Sequence, residues 1–344
     1  MNLEYQAFQL AESKHPSDLK KDIQMLWSAL TEERSTELSQ YFRKPALRRA
    51  YLGYYLPLYA NKIAQLIKSL NIKLEAPKVL DLGAGPLSGI LGAHLAFGKL
   101  SEVLAVDQDL GPMKAGLEFI QGILKDKSLP NIKFARANLK GPPKYWKPRF
   151  KPDLIIMAHV LNEFGSGERY IEDKKTLIAH AENQLAPKGI LLIVEPASKV
   201  PTRDLMRLRD WLYQETPVEI IAPCPPKVET CPLLKDRNNW CHAELNYKRP
   251  KELLNIDLQI GLNRDSLKCS YLAISKQGAG YKPTNCRIVS GPMSARGVHR
   301  RYACTPEGLL TLAQSERDKN QILSKLTRGD AFELNQAKRL IEKP

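Results

Sequence analysis

Residues 79–89 read VLDLGAGPLSG, an acidic residue set in an apolar run and followed at once by a glycine turn. Val79, Leu80 and Leu82 around Asp81 have the pattern of a buried strand, and Gly83-Ala84-Gly85-Pro86 then opens an apolar, helix-like stretch. A strand that ends in glycine brings bare backbone up to a ligand, because a Cβ would block the approach. A dinucleotide site would read G-x-G-x-x-G; here the run is Gly83-x-Gly85-x-x-Ser88-Gly89. Asp81, two residues before the first glycine, suits a ligand that carries a free amino group, as S-adenosylmethionine does. The turn is therefore read as a methyl-donor site, with Asp81, Gly83, Ala84, Gly85 and Pro86 against the donor.

Further polar residues end the apolar runs that follow. Ala105-Val106-Asp107-Gln108-Asp109 closes a second run. An acid there can accept both ribose hydroxyls of an adenosine, with Asp107 the first choice, Gln108 beside it and Asp109 in reserve. Ala137-Asn138 follows the third run, where a side-chain amide can read an adenine edge. The fourth, Asp153–Ala158, leads into His159-Val160-Leu161-Asn162-Glu163-Phe164. His159 is a further donor-site candidate, and His159, Asn162 and Glu163 are the candidates for catalysis; the competing expectation is helix capping by Asn162 and a solvated Glu163. A strand-four Asn/Asp-Pro-Pro-aromatic turn, which would hold an exocyclic amine, is not in the sequence.

The cysteines are Cys224, Cys231, Cys241, Cys269, Cys286 and Cys304. The first three fall in APCPPKVETCPLLKDRNNWC, where Pro223, Pro225, Pro226 and Pro232 stiffen the loop. Thiolates on stiff turns at irregular spacing suit an iron–sulfur cluster, which takes four cysteines. A structural zinc usually shows tight C-x2–4-C pairs, to which gaps of seven and ten residues conform poorly. The fourth ligand must come from afar: Cys304 is the best placed and Cys286 a substitute. Cys269 alternates within a strand-like run and reads as a small core residue. Scattered free thiols are the competing reading.

These residues need a sheet to carry them. From Pro77 onward the pattern alternates, with strands expected at 78–82, 102–106, 132–136, 153–158 and 189–195 and helices at 87–97, 111–125, 170–186 and 202–215. That alternation predicts an α/β fold with a parallel, doubly wound sheet and its ligands at the carboxyl ends of the strands. Leu267–Ser275 reads as a last strand. Residues 1–76 read as a helical region in which Tyr51, Tyr54, Tyr55, Leu58 and Tyr59 recur at helical spacing, either as packing or with one tyrosine closing over the cofactor. The expected division is 1–76 helical, 77–276 catalytic-type domain with the cysteine loop at 216–245, and 277–344 a basic β-rich appendage ending in a helix near 330–342.

The chain has 344 residues, 43% hydrophobic and 26% charged, an ordinary balance for a soluble globular protein. Its longest apolar runs are strand-length, too short to span a membrane. The acidic start, with Glu4, Glu12 and Asp18, argues against a signal or transit peptide and for a cytoplasmic chain. A net charge of +15 favours a polyanionic partner, RNA above all. Gly141–Pro152 (GPPKYWKPRFKP) has no acid and interleaves Tyr145, Trp146 and Phe150 with cations, while Tyr281–Cys304 carries Lys282, Arg287, Arg296, Arg300 and Arg301, again without an acid. Aromatics between cations suit stacking on unpaired bases, although Trp146 could equally fill core.

Taken together, RRAYLGYYLPLYA, VLDLGAGPLSG, AHVLNEF, LLIVEPAS, the CPP…CP…WCH loop, CSYLAIS, CTPEG and the late Arg328-Gly329-Asp330 resemble one family over almost the whole chain. It is the methyltransferase-like proteins of the mitochondrial small ribosomal subunit and their bacterial relatives. The resemblance implies a class I, Rossmann-like methyltransferase fold that binds S-adenosylmethionine, and a [4Fe–4S] cluster held by Cys224, Cys231, Cys241 and Cys304, with zinc the alternative metal. It implies association with small-subunit ribosomal RNA during assembly or translation, by an rRNA methyltransferase or by a non-catalytic assembly factor. A monomer with no membrane contact is expected.

Overall fold

The computed structural model describes residues 2–13, 18–31, 42–124, 129–165, 167–262, 264, 266–277, 284–295, 297–319, 321–333 and 340. The helix expected near 330–342 falls largely outside the described residues. The chain divides into two compact units, Met1–Ala158 with Tyr247–Asp265, and His159–Asn246 with Ser266–Pro344.

In the first unit β1 (Val79–Leu82), β2 (Val103–Asp107), β3 (Ile132–Arg136) and β4 (Leu154–Ala158) form a parallel sheet in the order β3-β2-β1-β4. β1 is buried on both faces and reads VLDL, as a central parallel strand must, since helices cover both sides. Register pairs Leu82 with Val106, so the ends of β1 and β2 lie side by side. Helices Ser88–Phe97 and Leu110–Leu124 carry the chain back after β1 and β2.

The N-terminal region is helical, over Leu3–Ser13, Leu19–Thr31, Pro45–Ala50 and Leu56–Ser69. Tyr51–Tyr55 form a π-turn before Leu56–Ser69. Tyr51, Tyr54 and Tyr55 are buried, and Tyr51, Tyr55 and Tyr59 pack as a cluster of tilted and edge-on rings, which gives the tyrosine repeat a packing role. A buried polar lattice locks this region to the segment that returns at residue 247. Arg249 pairs with Glu4 (2.7 Å) and with Asp257 (2.7 Å), Tyr54 donates to Asp257, and Arg264 donates to the Tyr54 hydroxyl (2.9 Å). Buried charges are stable only when paired in this way.

The second unit holds β5 (Ile190–Glu195), β6 (Glu219–Ala222), β7 (Ala243–Asn246) and β8 (Ser266–Ser275). β8 lies between β5 and β6, antiparallel to both, and β7 also pairs with it. β8 is the run predicted as the last strand; β6 beyond it is too short to stand out in the sequence. A separate antiparallel sheet contains β9 (Cys286–Ile288), β10 (Met293–Ala295), β11 (Val298–Thr305), β12 (Gly308–Ser315) and β13 (Ala331–Phe332), in the order β10-β11-β9-β13 with β12 on β11. The whole is an α/β, Rossmann-like methyltransferase fold with a small antiparallel sheet added. Among the described residues no helix is long and apolar enough to cross a membrane.

Candidate functional site

The glycine turn is set by backbone bonds. Gly83 and Ala84 both donate to the Val106 carbonyl, at 2.9 and 3.0 Å, which stitches the turn to β2. Gly83 and Gly85 adopt positive φ, 70° and 47°, where a side chain is strained. Gly85 N–H donates to Asp107 Oδ2 (2.9 Å), and Asp109 N–H to Asp107 Oδ1 (3.1 Å). The acid that ends β2 is thus fixed against the turn, with lone pairs remaining on both oxygens. Burial raises its pKa.

Asp81 is 1% exposed, with Oδ2 lacking a hydrogen-bond partner. Burial first, then the Asp107 charge, push its carboxyl up to about 7, while the Ile90 N–H opposes them. It lies beneath the start of helix Ser88–Phe97: a Cβ on Gly89 would come 2.5 Å from Oδ2 and 2.8 Å from Oδ1. Gly89 is therefore required by the carboxylate, and Gly116 by the Pro86 carbonyl, into which its Cβ would run. Asn138 is exposed; its Oδ1 accepts the Lys140 N–H (2.9 Å), and Ala137 N–H bonds the Asp107 carbonyl (2.9 Å). Gln108 is exposed, its carbonyl taken by Arg136 (3.0 Å). The first unit thus brings Asp81, Gly83–Pro86, Asp107 and Asn138 to one end of its sheet.

His159, Asn162 and Glu163 belong to the second unit. His159 has φ 63° and its N–H donates to the Val194 carbonyl (2.7 Å). The 161–164 turn is held by Glu195, whose carboxylate accepts the N–H groups of Leu161 (2.8 Å) and Asn162 (3.3 Å). The Asn162 carboxamide, turned so that its nitrogen donates, reaches Glu195 Oε2 at 3.1 Å. Glu163 is exposed. Burial raises the Glu195 carboxyl to about 8 against these bonds and Lys174, and Lys174 itself is buried in an ion pair with Asp204 (2.8 Å). The sequence reading passed over Glu195; its signal is an acid closing the otherwise apolar run LLIVE.

The same unit gathers the cysteines. Cys304 packs with Met206, Val228, Leu233 and Val289, and Cys231, Trp240 and Cys241 pack onto that cluster. Cys224 lies within electrostatic reach of Cys231, Cys241 and Cys304. Burial, and after it Cys224 and Cys241, push the Cys304 thiol up to about 12. Cys286 belongs instead to a cluster with Ile288, Ala303 and Leu312, and Cys269 is buried in β8. None of the six is in a disulfide. Among the described residues, no three or more His, Cys, Asp or Glu side chains form a group that could hold a metal ion as they stand.

Two arginines complete the surroundings. Arg287 sits directly across from Cys304 in the β9–β11 pairing, and Arg209 lies within electrostatic reach of Cys224. Each is 3% exposed, and Arg209 Nε, Arg287 Nε and Arg287 Nη2 have no hydrogen-bond partner. Burial works against both charges, yet acidic neighbours, Cys224 among them, raise both pKa values.

Strand order, glycine turn and the acid after β2 together define a class I methyltransferase-like protein. Residues 55–339 match the family described as "Mitochondrial small ribosomal subunit Rsm22", and the chain belongs to that family. No curated protein matches it. Solved structures similar to it include NSun6 from Pyrococcus horikoshii (12% identity, 64% of this chain and 52% of that one, TM-score 0.40). An O-methyltransferase family protein from Burkholderia thailandensis is 14% identical, over 74% of this chain and 68% of that one, with a TM-score of 0.39. The ribosomal protein L11 methylase from Lactobacillus delbrueckii subsp. bulgaricus is 16% identical, over 63% and 78%, with a TM-score of 0.35.

Proposed function

We propose that this chain binds S-adenosylmethionine and an iron–sulfur cluster and acts on the small ribosomal subunit and its rRNA, in assembly or translation, as a methyltransferase. The observation that carries the donor reading is Asp81: a buried carboxylate with an orphaned oxygen, at the end of a strand that runs into a glycine turn. An ammonium group satisfies that oxygen and recovers part of the desolvation cost of its charge. Asp81 would take the methionine ammonium, Gly83–Pro86 would line the donor, Asp107 would accept the ribose hydroxyls, and Asn138 would offer its amide nitrogen to the adenine. The donor supplies an electrophilic methyl group. His159 or Glu163 would be the base that takes the acceptor's proton.

Cys224, Cys231, Cys241 and Cys304 would hold the cluster. Cys231, Cys241 and Cys304 share one packed cluster with Cys224 within electrostatic reach, four thiols being the donor set it takes, and two buried guanidinium groups with unused N–H bonds suit an anionic metal–thiolate group. Zinc on the same thiols is the alternative.

A second reading keeps donor and cluster but no catalysis: a ribosome-assembly factor. Asn162 favours it, because Glu195 already engages both its backbone and its side chain.

The test is to purify the protein without oxygen, assay iron and acid-labile sulfide, and incubate it with labelled S-adenosylmethionine and immature small subunits. Label in rRNA and brown protein absorbing near about 400 nm support the first reading. Donor binding without label supports the second, and colourless zinc-loaded protein removes the cluster.

A further inference from the structure

One basic, aromatic stretch fits either core filling or RNA binding by its sequence, and the structure separates the two roles within it. Past Asn138 the chain runs over the first unit as a strap that returns to the sheet at β4. A short turn at Pro143–Tyr145 leads into it. From Tyr145 to Pro152 exposure alternates residue by residue. Trp146, Pro148 and Pro152 are buried, Phe150 is half-buried, and Tyr145, Lys147, Arg149 and Lys151 are exposed. The buried members anchor the strap while their neighbours face solvent. Trp146, 1% exposed, is the main anchor, and Tyr145, 60% exposed, is a large apolar ring left in water. The Lys144 ammonium lies 5.1 Å from the centroid of that ring, and Lys140 and Lys144 are exposed as well. No acid occurs between Lys140 and Lys151.

We propose that the strap Lys140–Lys151 is a docking surface for single-stranded RNA. Lys140, Lys144, Lys147, Arg149 and Lys151 neutralise successive phosphates, and Tyr145 stacks on an unpaired base. Charge selects the partner: a row of cations with no interspersed acid attracts a polyanion, and an exposed ring among them fits a base better than a protein side chain. Single strands are favoured because bases paired in a duplex offer no open face. The strap starts two residues after Asn138, so RNA held there enters beside the donor end of the sheet. This deepens the proposed function and rests on its RNA reading.

The experiment titrates the full-length chain against a labelled, mixed-sequence single-stranded oligoribonucleotide by fluorescence anisotropy over a range of KCl concentrations. A Lys144→Gln/Lys147→Gln/Arg149→Gln variant is expected to weaken binding and to flatten the plot of log affinity against log salt. The expected loss of slope is about 0.7 per phosphate contact, or about 2 in all. Tyr145→Ala is expected to cost about tenfold on the single strand with the slope kept, and to leave duplex RNA unaffected. An Arg317→Gln/Lys319→Gln variant, which removes two exposed cations of the second unit, serves as the control, and equal thermal midpoints show that all variants fold. Wild-type affinity and slope in the triple variant overturn the proposal, as does displacement of RNA by polyglutamate as readily as by unlabelled RNA. A wild-type chain that binds no RNA overturns the RNA reading of the function itself.

Discussion

Two carboxyls stand far from their ordinary values, Asp81 near 7 and Glu195 near 8, both through burial. An acid whose folded pKa exceeds its unfolded one stabilises the fold fully below the unfolded value and loses that contribution as pH rises through the folded one. The ligand-free chain is therefore expected to lose thermal stability between about pH 4 and about pH 8. Asp81→Asn should remove the part of that loss that ends near 7, and Glu195→Gln the part that ends near 8, as read from midpoints in a series of buffers. Donor binding provides an independent check. An ammonium on Asp81 stabilises the charged carboxylate, so affinity should rise as pH passes through about 7. Asp81→Asn should abolish that rise and cost about 10- to 100-fold by calorimetry, the worth of a charged hydrogen bond. Asp81 stood out in the sequence because an acid within a buried run costs free energy without a purpose. Glu195 ends its run in the same way, but no glycine turn follows to mark it.

At the scale of elements, the turn depends on contacts that no ligand touches. Gly116→Ala would drive a methyl into the Pro86 carbonyl, a backbone atom that yields only if the turn moves. The expected cost is about 1–3 kcal/mol in stability, with weaker donor binding, measured by denaturant unfolding and calorimetry. The strands and helices between residues 79 and 215 are legible in the sequence because each apolar run is long and bounded by glycine, proline or charge. β6, β7 and the helix Lys251–Gln259 are not, since a four-residue strand carries little periodic signal unless, as after β1, a glycine turn marks its end, and the helix is only nine residues long. The π-turn at Tyr51–Tyr55 is hidden for another reason. Its tyrosines fit an ordinary helical stripe, and only the backbone bond from the Leu56 N–H to the Tyr51 carbonyl reveals the extra residue in the turn.

For the molecule as a whole, the four proposed ligands and the two buried arginines lie within the second unit, and the donor residues Asp81, Gly83–Pro86, Asp107 and Asn138 within the first. Cys231→Ser is expected to lower iron content and the thermal midpoint while leaving donor affinity within about twofold, a separation that metal assay, calorimetry and thermal melting measure together. Arg287→Met should lower iron retention with all four thiols intact, because the anionic group then loses its countercharge; unchanged iron content would leave the orphaned guanidinium without that role.

The first unit also has a history in time. Glu4 waits for Arg249 and Tyr54 for Asp257, partners 245 and 203 residues further along the chain. A ribosome adding roughly 5–20 residues per second needs on the order of 10–50 s to deliver them. Until then Glu4 lacks its countercharge and Tyr54 its acceptor, so the nascent chain is most vulnerable to proteolysis and most in need of a chaperone during the interval in which the second unit's first half is being made.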